Sequence, residues 1–194
     1  MNLLKKAVAS LLILGTIAQA GTFEQNGVKE GNNRVSIGLT SIIDNDDGSD
    51  GSGMLYVQYG RFLTDDIEIS SYIYTSIVND TIDRTIKKEG KEIKYHEGKG
   101  INYQIAIGAN YYFLKTPTLT PYIGVQYYYT DSTRELTING KDIDLSSNGN
   151  NIHIGAHKFF SESFAITPEI GSRFVGFTDY TNTYANIYLT YFFN

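Results

Sequence analysis

Ile101-Asn102-Tyr103-Gln104-Ile105-Ala106-Ile107-Gly108-Ala109-Asn110-Tyr111-Tyr112-Phe113 puts an apolar or aromatic residue at every odd position, against Asn102, Gln104, Ala106, Gly108 and Asn110. A helical period of 3.6 does not produce that record; side chains that alternate faces along a strand do. The last eleven residues, Tyr184 to Asn194, repeat it. Ala185, Ile187, Leu189, Tyr191 and Phe193 share one face, and Tyr184, Asn186, Tyr188, Thr190 and Phe192 share the other.

Working outward from these two stretches, the same alternation recurs six more times. The first strand runs from Asn33 to Ile43, with Arg34, Ser36, Gly38 and Thr40 opposite Val35, Ile37 and Leu39. Met54 to Phe62 sends Leu55, Val57 and Tyr59 one way and Gln58 and Gly60 the other. In the third strand Ile67, Ile69 and Ile73 alternate with Glu68, Ser70, Tyr72 and Tyr74. After the fourth, 101 to 113, come Pro121 to Thr130, Asn151 to Phe160 and Ala165 to Phe177, and the eighth is the C-terminal stretch. Short joints follow Phe62, Phe113 and Phe160, so brief turns alternate with longer connections. The acidic run Asp44 to Asp50 and the segment Thr178 to Thr183 read as loops.

Two excursions carry their own hairpin signals. Thr81 to Ile86 and Lys91 to Tyr95 flank Glu89-Gly90, and Asn139-Gly140 sits between alternating residues of 134 to 145, the pairing that favours a tight two-residue turn. The third to sixth strands are expected to continue outward there, as one protruding four-stranded sheet.

At the N-terminus, Lys5 and Lys6, the apolar run Ala7 to Ala18 and the small-x-small triplet Ala18-Gln19-Ala20 read as a secretory signal peptide, residues 1–20, cut after Ala20. Residues 21–32 form a polar lead and 33–194 the folded domain. The mature chain keeps 14 basic and 21 acidic residues, a balance that argues against nucleic acid as a partner. Without cysteine there is no disulfide framework, thiolate metal site or lipid-anchored cysteine. Tyr 16, Phe 10 and Gly 19 with no Trp, and no apolar helix-length run after the signal, suit an all-β chain whose apolar surface is spread over alternate residues.

One wholly apolar face on eight strands needs either a second layer or surrounding lipid. The opposite face holds Gly, Gln, Asn and isolated charges, which fit a filled lumen, and in lipid only helices and closed barrels satisfy their backbone. The fold expected is an eight-stranded antiparallel up-and-down transmembrane β-barrel. On signal peptide, strand count, turn alternation and aromatic last strand, residues 33 to 193 resemble the small outer-membrane barrels of the OmpX/Ail and OmpA transmembrane-domain families. The resemblance implies outer-membrane residence beside lipopolysaccharide, with both termini periplasmic. It also implies an insertion signal read by the barrel-insertion machinery at Ile187, Leu189, Tyr191 and Phe193, after which Asn194 is one residue extra. Phe62, Phe113, Phe160 and Phe193 would then gather at the inner rim as an aromatic girdle, although strand parity turns Phe62 inward. Arg61 and Lys158 would snorkel to the headgroups there.

Arg34, Glu68, Glu169 and Arg173 fall on the inward face, where opposite charges should pair as a plug, because a buried charge left single is costly. His153 and His157, four apart on a strand and so about 13 Å from each other, are too far apart to share one ion. They read as lumen filler. Ser, His and Glu occur, but no spacing marks a catalytic triad, and no cofactor motif is present. Asp44 and Asp46 fit the first positions of a calcium loop, yet Gly48 stands third and the closing glutamate is missing, so 44 to 50 reads as a solvated loop. The function expected is a non-enzymatic surface protein. Its hairpins 80–97 and 133–148 would meet host or other surface proteins by edge pairing, and the barrel would contribute to envelope integrity. A narrow porin-like channel for ions or small solutes and a lipid-modifying barrel enzyme are the alternatives.

Overall fold

The computed structural model describes residues 26–43, 53–78, 81–88, 91–175 and 179–194. The expected signal peptide with Ala18 and Ala20, and the acidic run Asp44 to Asp50 that reads as a loop, lie outside the described residues. Twelve strands are present: β1 (Asn33–Ile43), β2 (Gly53–Phe62), β3 (Ile67–Val78), β4 (Ile82–Lys88), β5 (Lys91–Glu97), β6 (Gly100–Tyr112), β7 (Leu119–Ser132), β8 (Leu136–Ile138), β9 (Lys141–Asp142), β10 (Ser147–Phe159), β11 (Phe164–Val175) and β12 (Asp179–Phe193). Eight of them close a barrel in the order β1-β12-β11-β10-β7-β6-β3-β2, and every neighbour is antiparallel. These are the eight expected strands, except that two begin well ahead of expectation: β12 starts at Asp179, within the segment 178–183 expected as a loop, because those residues continue its ladder with β11, and β10 starts at Ser147.

The register fixes the barrel's girth. From Arg34, partners run through Gly60, Ser70, Gly108, Gln126, Asn151 and Arg173 to Asn182, ten residues from Phe192, which pairs with Arg34 on its other side. Eight strands with that stagger tilt by roughly 35–45° and leave an interior just wide enough for side chains.

Side-chain direction follows the alternation. Ile37, Ile73, Ile105, Ile107, Val125, Ile152 and Leu189 stand outside, with Ile107 62 % exposed. Tyr56, Gln58, Tyr72, Gln104, Tyr122, Asn151, His153, Glu169, Tyr188 and Thr190 are buried within. An apolar belt outside and a polar interior reverse the pattern of a protein folded in water, and lipid is the solvent that stabilises it. Inside, rings lie over cross-strand glycines: Tyr122 faces Gly155, Tyr184 faces Gly171 and Tyr188 faces Gly38. A Cβ at any of the three would collide with the ring.

Phe62 stands inside the barrel, as the parity of its strand has it, and so leaves the girdle. It is 1 % exposed and packs inside against Tyr112 and Phe192, with ring centroids 5.2 and 6.2 Å away. The three joints that look alike in sequence are out of phase: Phe62, Tyr112 and Phe159 point inward, Phe113 and Phe160 outward. The outer ring at this end is completed by Phe164 and Tyr191, 4.7 Å apart, with Tyr191 stacked on Phe193.

Beyond the other end stands a four-stranded sheet in the order β4-β5-β8-β9. The strands beneath it do not simply lengthen to make it. Asn102 pairs with Ser132 in the barrel and Glu97 with Leu136 in the outer sheet, so one chain spends five residues where the other spends four. A one-residue surplus of this kind breaks a ladder and bends it. Gly98 N donates to Glu135 O at 2.7 Å across the break, and Arg134 Nη2 donates to Glu97 Oε2 at 2.7 Å. At the far hairpin Asn139 and Gly140 both take positive φ, 53° and 73°, the backbone of a type I′ turn.

Candidate functional site

Two carboxylates occupy the lumen, and each is held differently. Arg34 on β1 reaches Glu68 on β3: Nε donates to Oε1 at 2.5 Å and Nη2 to Oε2 at 3.1 Å. Arg34 Nη1 also donates to Ser36 Oγ at 2.7 Å and Gln58 Oε1 at 2.8 Å. Glu68 accepts further from Asn110 Nδ2 at 2.8 Å and Tyr112 Oη at 2.7 Å. Space for its carboxylate comes from Gly60, where a Cβ would fall on Oε1.

Glu169 on β11 meets phenols instead. Tyr122 Oη donates at 2.8 Å and Tyr188 Oη at 3.1 Å; Tyr184 Oη stands 3.5 Å off and also donates to Asn151 Oδ1 at 2.9 Å. His153 Nε2 lies 3.8 Å from Glu169 and 2.8 Å from Asn110 Oδ1. Arg173, expected to pair with a carboxylate, lies over the Tyr184 ring with its guanidinium carbon 5.0 Å from the centroid. Among the described residues no carboxylate is within ion-pair reach of it. The structure therefore joins Arg34 to Glu68 and leaves Glu169 and Arg173 linked only through Tyr184. Alternation placed all four inward, but the tyrosines that hold Glu169 come from the adjoining β12 and from β7, two places round the ring, a meeting that one-strand periodicity does not encode. His157 packs between rings, stacked on Tyr122 at 5.0 Å and Tyr112 at 5.6 Å, with Nδ1 2.7 Å from Thr167 Oγ1.

Residues 26–32 of the polar lead cross the short-turn mouth. Asn26 Nδ2 donates to Thr116 O at 2.7 Å and Thr120 Oγ1 at 3.0 Å. Val28 is buried with Phe62, Tyr112, Tyr122, Phe159, Ala165 and Phe192, and Gly27 lies flat on Phe192. Gly31 N then donates to Phe62 O at 3.0 Å. β7, which carries Thr120, is four places from β1 either way round the ring, so this strap spans the mouth from one wall to the opposite one.

At the other end the outer sheet is two-faced. Residues directly opposite in antiparallel strands share a face. One row across all four strands is Arg84, Tyr95, Ile138 and Lys141, flanked on the same face by the pair Ile86 and Ile93 and by Ile82, Glu97 and Leu136. The row between is Asp83, His96, Thr137 and Asp142, with His96 Nδ1 2.7 Å from Asp83 Oδ1.

The sequence matches no family profile and no curated protein. In fold it is similar to the N-terminal β-barrel domain of Pseudomonas aeruginosa OprF, with a TM-score of 0.58 and 16 % identity over 84 % of this chain and 98 % of that one. It is also similar to Ail, the attachment invasion locus protein of Yersinia pestis, solved with the heparin analogue sucrose octasulfate. There the TM-score is 0.50 and the identity 13 %, over 84 % of this chain and 99 % of that one. Closed ring, lipid-facing belt, filled lumen and these likenesses together make the chain an eight-stranded transmembrane β-barrel with the fold of the small outer-membrane barrels.

Proposed function

We propose that the protein is a non-enzymatic outer-membrane barrel that anchors a surface-exposed β-sheet for contact with other proteins. The observation that carries this reading is the outer sheet itself: among the described residues β4 pairs with β5 alone, so one side of its seven-residue backbone is an open edge above a closed barrel. An open edge recruits a further strand by main-chain hydrogen bonds. The likeness to Ail, a protein described by attachment and crystallised with a sulfated ligand, supports a surface role.

In this reading both termini are periplasmic, the short turns lie inside and the hairpins 80–97 and 133–148 lie outside among lipopolysaccharide. Ala18 and Ala20 mark the signal cleavage, and Ile187, Leu189, Tyr191 and Phe193 are what the insertion machinery reads. The lumen charges act as a plug that keeps the envelope sealed, an assignment supported by the Arg34–Glu68 contact and the phenols around Glu169. Removing residues 80–97 and 133–148 together is expected to leave a folded, heat-modifiable barrel that no longer binds host cells or matrix proteins. Surface binding that survives this double deletion overturns the reading. Planar-bilayer recordings are expected to be silent; a steady conductance favours the channel.

A further inference from the structure

We propose that the β4 edge selects its partner by side-chain pattern, taking an extended peptide in which an acidic residue is flanked two positions away on each side by apolar ones. This rests on the display reading above and names the partner class that the edge fits. A strand added antiparallel to β4 lays alternate side chains on each face of the sheet. On the face of Arg84, its residues stand opposite Ile82, Arg84 and Ile86, which meet in turn an apolar, an acidic and an apolar side chain. Arg84 is exposed, and no described carboxylate lies within ion-pair reach of it. Its in-sheet neighbours on that row are Tyr95 and Ile138, which leave its charge without an opposite sign. Ile86 is 48 % exposed with only Ile93 beside it, so an incoming apolar residue removes surface from water that the sheet alone leaves wet.

On the other face Asp83 already has His96 at 2.7 Å, so that side adds little charge preference. The opposite edge of the sheet fits less well. β9 is two residues long, too short to template more than a single pair of bonds, whereas β4 offers seven. Backbone pairing supplies the grip, and the Ile82-Arg84-Ile86 face supplies the choice.

The test uses the mature chain in lipid nanodiscs and a fluorescent capped peptide, Thr-Ile-Thr-Glu-Thr-Ile-Thr, read by anisotropy. Two companions replace its Glu by Lys or its central-flanking Thr by Pro. The Glu peptide is expected to bind about fivefold more tightly than the Lys peptide, the scale of a cross-strand charge pair. The Pro peptide, which cannot complete the ladder, is expected not to bind. Arg84→Glu is expected to reverse the Glu/Lys order, while Lys141→Glu at the other edge leaves it unchanged.

Equal binding of Glu and Lys peptides, binding of the Pro peptide, or reversal by Lys141→Glu in place of Arg84→Glu would each overturn the assignment. These outcomes are separable from failure of the display reading. A charge-blind edge on a barrel whose surface binding still needs the hairpins sinks only the pattern. Surface binding without the hairpins sinks the display reading whatever the peptides do.

Discussion

In the barrel every strand has a neighbour on both sides, whereas in the outer sheet, among the described residues, β4 and β9 each have one. The two regions share antiparallel pairing and alternating side chains, but they meet different solvents. Inside the lipid an unpaired backbone group costs several kcal/mol, so the ring must close. Outside it, water satisfies an open edge until a partner does. The polar residues differ accordingly. In the barrel they are enclosed, and Arg34, Glu68 and Glu169 each have more than one partner; in the outer sheet Arg84, Lys91, Lys94 and Lys141 are exposed. Stability is concentrated in the first region and availability in the second.

The sharpest way to break this contrast is Arg34→Ala. It strands the Glu68 carboxylate in the lumen and is expected to lower stability by about 3–5 kcal/mol, the cost of halving a buried ion pair. Urea unfolding followed by heat-modifiable migration reads it; a loss below about 1 kcal/mol would mean that water reaches Glu68 and that the lumen is not sealed.

Glu169→Gln should cost less, about 1–3 kcal/mol, because its partners are neutral phenols and removing the charge strands no cation in contact with it. Equal losses in the two variants would show that Arg173 depends on Glu169 across the 5.0 Å approach to Tyr184. The smallest effect belongs to Gly140→Ala. Gly140 has φ 73° and nothing near its missing Cβ, so the cost is backbone strain alone, about 1–2 kcal/mol. Hydrogen exchange is expected to quicken at Tyr95 and Ile138 while the barrel midpoint stays put. If the midpoint falls too, sheet and barrel are one cooperative unit and the contrast fails.

Much of this architecture could be read before any coordinates because a period of two is a strong local signal. The strands centred on Ile105, Ile154 and Leu189 announce themselves, and so does the Asn139-Gly140 turn. What alternation does not carry is phase between strands. Parity within its own strand turns Phe62 inward, but the rings that it meets there, Tyr112 and Phe192, are set by register. The same gap hid the phenols around Glu169, since Tyr122 and Tyr188 approach it from other strands. The lead was illegible for another reason: within 26–32 Val28 stands alone among glycine and polar residues, and burial of a single side chain leaves no period.

The strap has a consequence for the order in which the molecule can be built. Its contacts join Asn26 to Thr116 and Thr120, and Gly27 to Phe192. The first cannot exist until the middle of the chain has turned, nor the second until the last strand is in place. The residues ahead of the first strand leave the ribosome early and find their full seat last, so a barrel whose mouth is crossed is one whose assembly is complete.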